Sequence, residues 1–122
     1  MTSLGINENV EAALSYVLGI ISGAAVLLFE KESRFARFHA MQSIMLSLGY
    51  IIARVLVEIL SIPFMLIPGG AGIGIAIAID EIVLLIFAIA WIACIVKALM
   101  GEWFKLPVIG DFAEKALNSV NV

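Results

Sequence analysis

The chain holds a single cysteine and a single histidine in 122 residues. A lone Cys94 leaves neither a disulfide framework nor a cysteine-based zinc site within one chain. It reads as a small buried hydrophobe. With His39 as the only imidazole there is no metal-ligand cluster, and no cofactor is expected. Charge is scarce too, at 14% of residues and a formal net of -3. The seven Lys and Arg form no stripe of the kind that binds nucleic acid. The opening MTSLGINENVEAAL lacks the basic region of a secretory signal, position 2 is Thr, and the chain ends NSVNV, so neither cleavage nor lipidation is expected. A nucleophile, base and acid set is also missing. Ser43 follows His39 by four residues with no carboxylate in local reach, so an enzyme is not expected.

What the sequence has in excess is apolar surface, with 63% hydrophobic residues and a mean hydropathy of +1.15. A single small water-soluble core cannot hide that much. The expected fold is an all-α integral membrane protein, one membrane domain over 1–122, with three transmembrane helices and a short amphipathic C-terminal interfacial helix. Residues 10–29 make the first apolar stretch of about 20 residues, the length that crosses a bilayer. Asn7 or Asn9 is placed to cap it. The charged stretch EKESRFAR follows at 30–37 as a loop. The second span is predicted over 38–62, where Pro63 ends it, and 63–74, with two prolines and four glycines, makes a hairpin connection. The third span is predicted over 75–100. Beyond it, Phe112, Ala116, Leu117 and Val120 recur at helical spacing, which predicts the tail helix over 110–120 lying on the membrane surface. A structureless tail is the alternative. Trp103 and Lys105 have the character of interfacial anchors.

The second span carries most of the polar candidates. His39, Gln42, Ser43, Ser47, Tyr50, Arg54 and Glu58 fall on or beside one stripe at about 100° per residue. Such groups face a bundle interior, a wet cavity or a partner, because lipid exposure at mid-depth costs ~3 kcal/mol or more. Arg54 has counter-charges in Asp80 and Glu81 of the third span, at equal depth when residues are counted from the charged ends. On the first span Ser15, Gly19 and Gly23 repeat every fourth residue, a spacing that lets helices approach closely, either within the chain or between two copies. With three crossings, the positive-inside rule puts the first loop, with Arg34 and Arg37, and the C-terminus in the cytoplasm and the N-terminus outside a cell membrane.

The run RFARFHAMQSIML, with Arg37, Phe38, His39, Ala40, Gln42 and Ser43 as its most specific part, resembles the small prokaryotic membrane proteins of the chloroplast-import-component-like family. ENVEAALSYVLGIISGAAVLLFEKE and ALMGEWFKLPVIGDFAEK are similar too, so the likeness covers about residues 10–115. The resemblance implies a compact helical membrane bundle and a role in moving proteins across membranes. Two functions remain open. One is a non-catalytic accessory or assembly subunit of a larger membrane complex, with the bilayer and other membrane subunits, or further copies of itself, as partners. The other is an oligomeric channel or carrier whose polar path is lined by the second helix.

Overall fold

A computed structural model describes residues 2–119. Five α-helices follow one another: α1 (Glu8–Val17), α2 (Ile20–Phe29), α3 (Arg34–Ser61), α4 (Ala71–Leu99) and α5 (Ile109–Ser119). Short 3-10 turns at Ile62–Leu66 and Pro68–Gly70 join α3 to α4, where Pro63 and Pro68 withhold the N–H a continuing helix needs. Of these elements, α3 and α4 with their turns are long and apolar enough to cross a membrane.

The first expected span is not one helix. Gly19, at φ 60 and ψ -120, splits residues 8–29 into two helices of 10 residues each. Each is about 15 Å long, half the hydrocarbon thickness of a bilayer. They fold back on each other, so the N-terminus lies beside the loop after α2: Ser3 N–H donates to Glu30 Oε2 (3.0 Å), and the Ser33 hydroxyl donates to Glu8 (2.8 Å). An N-terminus on the opposite side from that loop, expected from a continuous first crossing, is therefore incorrect for this fold.

The boundaries of α3 also differ from expectation. The helix starts at Arg34 because Ser33 caps it, its Oγ accepting the Ala36 N–H at 3.1 Å. The charged loop shrinks to 30–33. Arg37, assigned to that loop from sequence, is instead buried in the first turns of α3 and donates to the carbonyls of Leu27 (2.8 Å) and Glu30 (2.6 Å) at the end of α2.

The tail folds back as well. From Gly101 the chain runs alongside α3, turns at Val108 (φ 66), and returns as α5. Contacts pair Ile109 with Gly49, Gly110 with Gln42, and Asn118 with Arg34, so α5 is antiparallel to the first half of α3. Ala113 and Leu117 pack on Val26, Leu27 and Met41. The expected surface helix packs its Ala113 and Leu117 side on α3, while Phe112 stays exposed and Val120, expected on the same face, lies outside the described residues.

Two folded-back segments therefore wrap the first half of α3, in which every residue from Phe35 to Ser43 is buried. This is the base of the molecule. The outer halves of α3 and α4 rise from it as a hairpin with little cover from the rest of the chain. Lipid tails are as apolar as leucine, so close packing and internal hydrogen bonds, rather than escape from water, must hold such a base together.

Candidate functional site

Ending α1 at Val17 frees carbonyls that need donors. The Ser15 carbonyl takes hydroxyls from Ser43 (2.7 Å) and Ser22 (2.8 Å), and the Tyr16 carbonyl takes the Trp91 indole N–H (2.6 Å). Ser43 also reaches the Gly19 carbonyl (3.1 Å), and the Leu18 N–H donates to Ser22 (3.0 Å). The interruption is thus stitched by side chains from α2, α3 and α4. Ser15, Gly19 and Gly23 line its close approach to α3: a Cβ on Gly23 would stand 2.9 Å from the Ala40 carbonyl.

Beneath the break lies a closed polar network. Tyr16 Oη and His39 Nδ1 are 2.7 Å apart, and His39 Nε2 is 3.0 Å from the Glu102 carbonyl. A carbonyl only accepts, so Nε2 carries the proton and Nδ1 accepts from Tyr16, which is the neutral tautomer. Gln42 Nε2 donates to Tyr16 Oη and to the Phe104 carbonyl, both at 2.9 Å, while its Oε1 accepts the Leu106 N–H at 3.0 Å. Cys94 Sγ sits 3.7 Å from the same amide. Tyr16, His39, Gln42 and Ser43 are all essentially inaccessible. The network fastens α1, α3 and the segment 102–106 to one another.

The polar stripe of α3 therefore divides in two. Its lower part, His39, Gln42 and Ser43, is enclosed by this chain. Ser47 bonds back to the Ser43 carbonyl of its own helix at 2.9 Å. Higher up, Tyr50 accepts from Arg54 (2.9 Å) and packs on Phe87, and Arg54 Nε lies 2.8 Å from Asp80 Oδ1. Glu58 stands 3.9 Å from the same guanidinium with its side chain 64% exposed. Glu81 is exposed and makes no ion pair among the described residues. Between the tip of the α1 and α2 hairpin and the two long helices lies an apolar cavity of about 710 Å³, bordered by Leu18, Ile21, Ser47, Tyr50, Phe87 and Trp91.

At the base, Trp103 packs edge-on to Phe35 and tilted against Phe38, at ring distances of 5.4 and 5.3 Å, while half its surface stays open. Lys105 pairs with Glu114 of α5, and Arg34 donates to Asn118. Tyr16, Trp91 and the backbone of 102–106 carry the network without having been singled out from sequence. A tyrosine and a tryptophan inside apolar stretches were the available signal, since both need a hydrogen-bond partner when buried.

The architecture is that of a small helical membrane protein with two long apolar helices and folded-back segments at one end. The chain belongs to the magnetosome magnetite crystal formation protein family, which it matches over residues 7–113. It is 46% identical over 114 residues to a UPF0132 membrane protein of Methanocaldococcus jannaschii, covering 93% of this chain and 92% of that one. A UPF0132 membrane protein of Archaeoglobus fulgidus is 45% identical over 113 residues, 93% of this chain and 98% of the relative. No solved structure matches. The resemblance to the plastid import component is thereby reduced to its coarser content, membership of a family of small membrane proteins.

Proposed function

We propose that this protein is a non-catalytic accessory subunit that docks into a larger membrane complex through the outer halves of α3 and α4. The observation that carries the reading is Arg54, Glu58, Asp80 and Glu81 standing on the part of the molecule least covered by its own chain. Ionisable groups at membrane depth face protein or water rather than lipid, so this cluster calls for a covering partner. A host that translocates proteins agrees with the plastid likeness.

Purification in mild detergent at native abundance, with mass spectrometry of what comes along, tests the docking. A stoichiometric membrane protein should accompany the wild type and be lost from Arg54→Leu, while Lys115→Leu at the base keeps it. A lone monomer at every salt concentration ends this reading.

The base holds every Lys and Arg except Arg54, so we place both termini and the 30–33 loop in the cytoplasm and the connection between α3 and α4 outside. Single cysteines at Leu4, Lys31 and Leu66 in a Cys94→Ala background report this directly. With an impermeant reagent on intact cells, only Leu66→Cys should label. Leu4→Cys and Lys31→Cys should label after permeabilisation. Opposite behaviour of Leu4→Cys and Lys31→Cys would restore a continuous first crossing.

A further inference from the structure

Two carboxyls are enclosed at the base with too few donors for both to be ionised. Glu11 of α1 is 1% exposed and Glu30, just after α2, is 0% exposed. Oε2 of Glu30 is well supplied, accepting the N–H groups of Ser3 (3.0 Å), Glu32 (2.9 Å) and Ser33 (2.8 Å). Its Oε1 and both oxygens of Glu11 have no donor. The two carboxyls are close enough for each to shift the other's ionisation, Glu11 upward and Glu30 downward. Buried oxygens left bare in this way are costly, and two adjacent bare carboxylates more so.

The surrounding charges do not relieve the pair. Glu8, on the same helix, adds a further negative charge and takes the Ser33 hydroxyl. Arg37 of α3 brings one positive charge, held on the carbonyls of Leu27 and Glu30. Lys97 of α4 is engaged with Glu102 at 3.0 Å. Among the described residues neither buried carboxylate has a cation within ion-pair distance. A proton placed between them removes the surplus and supplies the missing donor in one step.

We propose that Glu11 and Glu30 share a proton, with Glu11 the neutral acid donating to the free oxygen of Glu30, and that this bond is a pH-sensitive latch holding the N-terminal segment on the start of α3. Asn7 caps α1, and ahead of it the segment from Thr2 to Ile6 is held by the Ser3 N–H donating to Glu30, the Ser3 hydroxyl accepting from the N–H groups of Lys31 and Glu32, and bonds between Thr2 and Ile6. An open cavity of about 580 Å³, lined by Thr2, Glu8, Glu32 and Ser33 among others, lies beside this segment.

The direction of the response follows from the surroundings of each group. Burial first, and then Glu30, push the Glu11 carboxyl up from 4.5 to about 7. Burial also pushes Glu30 up, but the N–H groups of Ser3, Ser33 and Glu32 together with Glu11 outweigh it and hold that carboxyl down at about 2. A raised carboxyl contributes stability that is complete below its unfolded value and is lost as pH rises through its folded one. The depressed Glu30 contributes above its unfolded value and fails only as pH falls toward 2. The latch is therefore closed in weak acid and opens as pH rises through about 7.

Hydrogen exchange of the protein in lipid nanodiscs, corrected for intrinsic rates, reads the latch directly. Protection of residues 2–9 and 30–34 should fall about tenfold or more between about pH 5.5 and about pH 8.5, with α4 unchanged. Glu11→Gln, whose amide donates as the protonated acid does, should stay protected across that range. Infrared spectra of the wild type in weak acid should show the carbonyl stretch of a protonated carboxylic acid that Glu11→Gln lacks. Protection that does not vary with pH in the wild type overturns the proposal, as does a pH response surviving in Glu11→Gln. Protection restored in alkali by sodium or potassium, but not by a bulky organic cation, would instead assign the pair to a metal ion.

Discussion

Replacing Gln42 by leucine should cost on the order of 3 kcal/mol of stability, measured by unfolding in a graded mixture of mild and denaturing detergent. Gln42 is fully buried, and each of its polar atoms is used: two N–H groups on Tyr16 and the Phe104 carbonyl, and one oxygen on the Leu106 N–H. Leucine has nearly the volume but none of these functions. It leaves the Leu106 N–H and the Phe104 carbonyl without partners, at ~1–3 kcal/mol for each group stranded away from water. Ser47→Ala is the matched control. Ser47 bonds only to a carbonyl of its own helix, so its loss should fall below about 1 kcal/mol. The two variants also differ in where they loosen the chain: Gln42→Leu should speed hydrogen exchange in 102–108, which the glutamine fastens, and Ser47→Ala should not. Equal losses from both would mean that the network contributes no more than an isolated helix hydroxyl.

The same residues explain what could and could not be seen in the sequence. The two long helices were legible because apolar runs of that length, ended by Pro63 and by Gly101, have few alternatives. Counting along them at 1.5 Å per residue puts Arg54 and Asp80 at one depth, and their side chains lie 2.8 Å apart. The interruption at Gly19 was not legible, because hydropathy scores one helix of 20 residues and two of ten alike, and Gly and Ser are ordinary in membrane helices. What decides between them is the supply of donors to the freed carbonyls. Those donors, Ser43 and Trp91, lie 28 and 75 residues away from the carbonyls they serve. Only the folded chain brings them together. The tail misled for a related reason: an amphipathic helix beside Trp103 and Lys105 has the composition of a surface helix, whether it meets lipid or the apolar face of α2 and α3. Glu11 stands in the first turn of α1, where a carboxylate is favoured, and nothing local in the sequence reveals that it and Glu30 are both buried.

Gly19→Ala should destabilise the protein by about 2 kcal/mol, from two separable causes. The backbone at Gly19 sits at φ 60 and ψ -120, a region that residues with a Cβ avoid, which costs on the order of 1–3 kcal/mol. A Cβ there would also stand 2.7 Å from Ser47 Oγ, too close unless the serine turns away from the carbonyl it serves. Removing that hydroxyl separates the two: in a Ser47→Ala background, Gly19→Ala should cost less than in the wild type, while keeping the backbone share. The substitution also favours the competing structure. Alanine is better than glycine by about 1 kcal/mol inside a helix, and residues 8–29 joined into one helix would be about 33 Å long, enough to cross the bilayer. The continuous helix would carry the N-terminus to the other side, so the Leu4→Cys reporter combined with Gly19→Ala should begin to label from outside intact cells. Ser43→Ala, which withdraws a donor from the freed Ser15 and Gly19 carbonyls, should shift the same reporter in the same direction. A Gly19→Ala protein as stable as the wild type, with Leu4→Cys still shielded, would show that the hairpin does not depend on this break.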